Sequence, residues 1–284
     1  MRDVALREAP APRDPLVSGI VLMLWVVLGV FVLCPLGCLF ARAFADAGSF
    51  SLQPLLGVVG NPNHRRAFGN SLILALAVAS GGTVLGFLFA FSATRAGLSK
   101  RVVEMIDTAT LLPLISPPFT VSVALLFSFG ARGLITYDLL GIKGFGLYGF
   151  ASTAAAEIVT YFPIAYLTLR PILASIDPNL ENAAFSMGAS RSRVFRTMTL
   201  ALAVPGLANA FLLLFACSLA DFATPLILAG NAFPVLPTEA YLQITGQFDL
   251  RGGALLSILL LLPAAAVFCL QRYWLAGRAF VTVT

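Results

Sequence analysis

Two acidic side chains stand inside stretches that are otherwise apolar: Glu157 within about Leu147–Leu169 and Asp221 within about Gly206–Leu228. A carboxylate is costly in hydrocarbon, so each must face a bundle interior, a partner subunit or water. Three uses are open to such groups: lining a solute pathway, forming a buried polar pair, or capping a helix end. Other reactive residue types are sparse. The four cysteines, Cys34, Cys38, Cys217 and Cys269, all fall in apolar runs. Cys34 and Cys38 are four apart and share a helix face, but no His, Asp or Glu stands near enough in sequence to complete a metal site. Packing as small apolar side chains is the expectation for them, and no metal is expected. The single histidine, His64, lies in NPNHRR and reads as a solvated side chain in an external loop. The chain carries no G-x-x-x-x-G-K-[ST], H-E-x-x-H, paired-cysteine or G-x-S-x-G motif. It is therefore not expected to be an enzyme or to bind a cofactor of its own.

The elements that must position these groups are set by hydropathy. The sequence is 59% hydrophobic and 11% charged, against roughly 25% charged in soluble domains, and its mean hydropathy is +0.92. No charged residue occurs between Asp14 and Arg42, Arg66 and Arg95, Asp107 and Arg132, or Arg251 and Arg272. About 20 apolar residues cross the hydrocarbon core as a helix. With the two stretches that hold one acid each, six spans are predicted, at about 17–41, 68–94, 108–129, 147–169, 206–228 and 253–272. Lipid requires each segment to satisfy its own backbone, so the fold class is all-α. The runs are too long and too uniformly apolar for barrel strands. Pro113, Pro117 and Pro118 should break the ladder of the third span. Unwound backbone that lines a cavity is one use of such a break; a kink packed by neighbours is the other.

The basic residues orient the bundle. With the N-terminus inside, twelve of the 18 Lys and Arg residues lie on the cytoplasmic side, as the positive-inside rule favours. Both termini and the segment 177–205 are then cytoplasmic in a multi-pass protein. The formal charge of +5 is a topology feature scattered over loops on both sides; no nucleic-acid partner is expected. The first apolar run is longer than the core of a signal peptide and is expected to remain as a helix. The chain divides into an N-terminal tail (1–16), a transmembrane domain (17–273) and a C-terminal tail or linker (274–284).

Residues 177–205, DPNLENAAFSMGASRSRVFRTMTLALAVP, lie between two spans. Asp177 can cap a helix that opens on Pro178, where the missing N–H costs nothing. Glu181 suits its positive end. Leu180, Ala183, Ala184 and Met187 fall on one apolar stripe. Gly188 can end the helix in a left-handed conformation. Ser190 or Ser192 can cap a second helix, with Val194, Phe195, Met198 and Leu202 on one side and Arg191, Arg193 and Arg196 toward the other. Pro205 is expected to break it before the fifth span. A knob for a partner's groove and an amphipathic pair lying on the bilayer surface both fit this pattern.

The stretch Glu181-Asn182-Ala183-Ala184, followed by Gly188-Ala189-Ser190, Phe195 and Pro205, resembles the EAA loop of binding-protein-dependent ABC transporter permeases. Asn182 stands where an alanine or a second Glu is usual, and Ala201 and Ala203 fall where that family often has another proline. The likeness runs from about Asn70 to Thr284. It implies an all-α integral membrane fold of the type I-like ABC importer permease, with six transmembrane helices and a cytoplasmic coupling helix-turn-helix, in a bacterial inner membrane. It also implies the partners: cytoplasmic ABC ATPase subunits that use ATP and Mg, a periplasmic solute-binding protein, and a second permease half. Glu181, Ala183, Ala184, Gly188, Ala189 and Phe195 are the residues implied to couple to the ATPase. Asp221, Glu157 and Pro117 are the candidates for the pathway. Asp221-Phe222-Ala223-Thr224-Pro225-Leu226 and VLPTEAYLQI look like the ferric-iron branch, which is close to the polyamine, thiamine and phosphonate branches. The tail Gly277–Thr284 resembles the linker between two fused six-helix repeats. The first half of a longer permease, and a short permease that pairs with a copy or a sister chain, both remain open.

Overall fold

The computed structural model describes residues 15–46, 49–117 and 119–275. The tails up to residue 14 and from residue 276, and Pro118, lie outside the described residues. The chain divides into two units, Met1–Leu55 and Leu56–Thr284.

The first unit carries α1, a 30-residue helix over Pro15–Phe44 with a mean hydropathy of 2.8 in its most apolar window. A wider turn, Gly29–Leu33, interrupts its regular ladder. Its side chains are exposed from Leu16 to Phe31 and beyond, as in a helix whose solvent is lipid. A short antiparallel pair, β1 (Ala45–Asp46) and β2 (Ser49–Phe50), follows, and Phe44 meets Phe50 with ring centroids 5.2 Å apart.

The second unit begins within α2 (Gln53–Gly60) and is built around α3 (Pro62–Arg95). Asn61 caps α3 by accepting from Asn63 N–H at 2.9 Å, ahead of Pro62 in the first turn. Its 34 residues give a helix about 50 Å long, more than the ~30 Å of hydrocarbon, so it must tilt or protrude. Next come α4 (Lys100–Ile115), α5 (Thr120–Phe129), the short wide turn α6 (Leu134–Leu139) and α7 (Phe150–Ser175). An elbow helix α8 (Pro178–Ser186) leads to α9 (Arg191–Ala220). The chain then forms α10 (Ala223–Leu228), α11 (Leu236–Thr245) and α12 (Leu250–Tyr273).

The core is the three-helix seam of α3, α7 and α9. Ala75, Ala79, Ala165, Leu169, Leu173 and Leu214 are buried there together. Glycines let the backbones approach, as small residues do between membrane helices. A Cβ added at Gly86 would lie 2.6 Å from Ala165 Cβ, 2.8 Å from Tyr166 N and 2.9 Å from Phe162 O. Burying apolar side chains brings no hydrophobic gain against lipid, so this close packing is what holds the seam.

Six segments are long and apolar enough to span a membrane: 15–44, 62–95, 120–139, 150–175, 191–220 and 250–273. Two of them depart from the sequence expectation. The break expected from the prolines of the predicted third span, 108–129, falls at Ser116, which is extended (φ −77°, ψ 152°) ahead of Pro117 and leaves two helices. A residue before proline is driven out of the helical region. Pro113 stays inside α4, and the apolar span shifts to Thr120–Leu139, across Arg132. The predicted fifth span, 206–228, begins earlier and ends sooner. Pro205 does not break α9, which runs through it. The lost ladder bond is tolerated where neighbouring helices hold the segment. The break comes instead at Asp221.

Candidate functional site

The segment between α7 and α9 folds as the residues require. Asp177 Oδ1 accepts from Asn179 N–H at 2.9 Å and starts α8. Gly188 adopts φ +82°, the left-handed conformation that lets Gly188 N–H and Ala189 N–H close on the carbonyls of Phe185 and Ala184 at 2.9 and 3.0 Å. Ser190, not Ser192, caps the next helix and accepts from Arg193 N–H at 3.4 Å. The result is an elbow of two helices joined by a tight turn.

Its inner and outer faces differ from the simple apolar stripe. Of the stripe residues only Ala184 turns inward and is buried. Leu180 and Met187 stay exposed, Met187 at 82%, and Phe185 beside them at 42%; Ala183 is exposed and Ala189 half-buried. The inward face is fixed by charge. Glu181 Oε2 pairs with Arg95 Nη1 at 3.4 Å, and Glu181 Oε1 accepts from Thr199 Oγ1 at 3.0 Å. Arg95, at the end of α3, also donates from Nη2 to the carbonyls of Leu173 and Ile176, at 2.9 and 2.7 Å. These are the orphan carbonyls at the C-terminal end of α7, where a cation is favoured. Arg95 thus ties α3, α7 and α8 together, and Glu181 extends the tie to α9. Their side chains are 11% and 19% exposed, so water screens the pair little.

Phe195 also turns inward. Its ring lies 5.4 Å from Phe91, edge-on, and 6.2 Å from Phe87. Phe195–Thr199 forms a wide π turn, of a kind frequent where a helix must re-aim its side chains. Arg191, Arg193 and Arg196 remain exposed around the elbow. A second ion pair braces the same end: Arg170 Nη2 on α7 meets Asp107 Oδ2 on α4 at 2.6 Å, and Tyr166 OH donates to Asp107 Oδ1.

Away from the elbow, the two predicted intramembrane acids come together. Glu157 is fully buried and accepts from Ser218 Oγ. Asp221 lies one turn beyond Ser218, near enough to act electrostatically on Glu157. Asp221 is also a cap: Oδ1 accepts from Ala223 N–H and Thr224 N–H at 2.9 and 3.2 Å and opens α10. Of the three uses open to it from sequence, the helix cap is the one its bonds show. Pro117 is exposed at the α4–α5 break, and Ser116 Oγ bonds Pro113 O there at 2.9 Å. It is not brought to the acid pair by any bond among the described residues.

His64 is not a loop residue. It sits in the first turn of α3, and its Nε2 is 3.3 Å from Gln243 Nε2 of α11, while its Nδ1 is 3.3 Å from Val58 O. Asn70 Nδ2 donates to Pro234 O, and Ser71 Oγ accepts from Leu236 N–H, both at 2.8 Å. The start of α3 therefore clamps the 232–245 segment. Cys34, Cys38, Cys217 and Cys269 are free thiols, and no three His, Cys, Asp or Glu side chains cluster among the described residues.

Sequence reasoning missed Arg95, Thr199, Asp107 and Arg170. Basic residues in a sequence report topology, and ion pairs between helices far apart in sequence leave no local pattern. One cue existed: Arg95 and Arg170 each directly follow a long apolar run.

Comparison with known proteins bears on these elements. Residues 82–280 match the family model described as binding-protein-dependent transport system inner membrane component. The chain is 33% identical over 276 residues to the ferric transport system permease protein FbpB of Actinobacillus pleuropneumoniae, covering 95% of this chain and 40% of that protein. The chain thus spans about two fifths of the length of that relative. It is 33% identical over 197 residues to the molybdenum transport system permease protein ModB of Escherichia coli (strain K12), covering 67% of this chain and 84% of the relative. In fold it is similar to a chain of a bacterial ABC transporter involved in the import of the acidic polysaccharide alginate. There the TM-score is 0.81 at 17% identity, over 94% of this chain and 97% of the other.

Proposed function

This chain belongs to the inner membrane components of binding-protein-dependent transport systems, and from that premise we propose that it forms half of the solute path of an ATP-driven importer in a bacterial inner membrane. The 177–190 elbow lies on the cytoplasmic side and docks on an ABC ATPase subunit, which supplies the hydrolysis with ATP and Mg. A second six-helix half, fused, sister or a second copy, completes the path, and a periplasmic solute-binding protein delivers cargo on the far side.

One observation carries the coupling reading: the elbow is braced from behind and bare in front. Leu180, Phe185 and Met187 are left uncovered on a helix whose other face is bonded into three bundle helices through Glu181 and Arg95. A pair of helices lying on lipid needs no such rigid backing; an element that must convert a partner's movement into movement of the bundle does. Ala183, Met187 and the Gly188 turn form the contact surface. Ala184, Ala189, Glu181 and Phe195 set its stance.

Ferric iron is the cargo we favour. The likeness to a ferric permease covers nearly the whole chain, and the acid pair suits a cation. Molybdenum permeases offer a second reading at equal identity over a shorter stretch. Uptake decides between them. Cells that carry this chain with its partner subunits are expected to take up labelled ferric iron but not molybdate. Met187→Glu should lower that uptake at least tenfold, with the protein still inserted at normal levels. Molybdate uptake in place of iron overturns the cargo; unchanged uptake in Met187→Glu overturns the docking surface.

A further inference from the structure

Two acidic side chains lie enclosed in the bundle, and the ion pairs Arg95–Glu181, Lys100–Glu104 and Arg170–Asp107 do not reach them. Glu157, two turns into α7, is 0% exposed, Asp221, at the end of α9, is 8% exposed, and Thr224, in the first turn of α10, is 0% exposed. The three are connected: Ser218 bonds Glu157, Asp221 follows Ser218 by one turn, and Asp221 holds the N–H of Thr224. Each retains one buried oxygen with no hydrogen-bond partner among the described residues: Glu157 Oε1, Asp221 Oδ2 and Thr224 Oγ1. The ion pairs among the described residues involve Arg95, Lys100 and Arg170, and none of them reaches these acids.

Two carboxyls enclosed together without a cationic side chain either take up a proton or pair with a cation, because desolvated charge is tolerated only when it is neutralised or paired. Ser218 Oγ and the Ala223 and Thr224 N–H groups occupy the other oxygen of each carboxylate, and the Tyr161 hydroxyl is a further donor beside Asp221. What remains is a set of oxygen acceptors of two carboxylates and a hydroxyl. That chemistry selects hard cations over soft ones. We propose that Glu157, Asp221 and Thr224 form a binding site for one hard multivalent cation, in the half of the bundle away from the elbow. In the importer reading, on which only its role depends, the site is a station for cationic cargo on the way through.

Terbium(III), a hard oxygen-seeking cation whose luminescence is sensitised by nearby tyrosine, is the probe. The Tyr161 hydroxyl neighbours both acids, so it reports from the site itself. The full chain, purified in detergent, is titrated with terbium under tyrosine excitation, and its thermal unfolding is followed with and without the ion. A saturable signal is expected, together with an upward shift of the melting temperature. Glu157→Gln and Asp221→Asn should each weaken binding more than about tenfold and abolish the thermal shift. Without terbium both variants should melt at or above the wild-type temperature, because each removes a buried like-charge repulsion. Tyr161→Phe should dim the emission while keeping the thermal shift. A wild type that melts cooperatively but gives neither response, or variants that respond as it does, would overturn the site and leave a carboxyl pair that shares a proton. The assay contains no ATPase, so its failure leaves the docking reading untouched, and failure of docking leaves the site untouched.

Discussion

Arg95 does at the level of one side chain what no local motif announces. It neutralises Glu181, satisfies the last carbonyls of α7 and stands at the end of α3. Removing it leaves a largely enclosed carboxylate and two carbonyls short of a donor, at a cost of about 1–3 kcal/mol. Arg95→Ala is therefore expected to loosen the elbow without unfolding the bundle. The ATPase should still bind, while solute moved per ATP hydrolysed falls several-fold. Arg95→Lys, which keeps the charge but loses the fork, should recover part of that ratio. Equal coupling in Arg95→Ala and wild type, measured in vesicles, would remove Arg95 from the account. Ala184 and Met187 illustrate the difference between the two faces. Both lie on the stripe read from sequence, but Ala184 packs inward and Met187 is 82% exposed. A charge at 184 would damage the elbow's own packing, whereas a charge at 187 would meet only the partner proposed to dock there.

Helices and caps were legible in sequence because their causes are local. Asp177, Pro178, Gly188 and Ser190 start and stop the elbow as their chemistry dictates, and four of the six apolar runs became helices close to their predicted bounds. The misreadings were places where tertiary context decides. Pro205 reads as a breaker, yet α9 passes through it. His64 reads as a loop side chain, yet it meets Gln243 across 179 positions of sequence. At Asp221 a polar side chain, rather than a proline, ended the helix. The seam of α3 and α7 was equally hidden, since a glycine in an apolar run does not reveal what lies against it. Gly86→Leu should separate these helices, because its Cβ would meet backbone atoms of Tyr166 and Phe162 that cannot rotate away. Overpacking of this kind costs about 1–3 kcal/mol or more. Gly69→Ala, with nothing within 4 Å, should be neutral or slightly stabilising. Melting temperatures of the two variants in detergent test the seam; a Gly86→Leu protein as stable as wild type would refute it.

Over the whole chain, the arrangement separates two tasks along the same helices. One end of α7 and α9 carries the braced elbow, and the opposite half carries the enclosed acids. Arg95 and Glu181 bond the elbow to α3, α7 and α9, the helices that form the core seam, so a displacement imposed on the elbow would be passed to them. Two of those helices hold the acid pair. This is a physical route by which a motor outside the lipid could change the access to a site within it. Fold, family and elbow were readable from the amino-acid order. The division of labour was not, because it depends on which side chains meet across helices. The account stands or falls on what the elbow touches. The most direct measurement places a photo-crosslinking amino acid at position 187 in inverted membrane vesicles that contain the partner subunits. The predicted result is a covalent adduct to the nucleotide-hydrolysing subunit, with a yield that changes when ATP is added. Labelling of position 187 from the periplasmic side, or no adduct to that subunit in transport-competent vesicles, would contradict it.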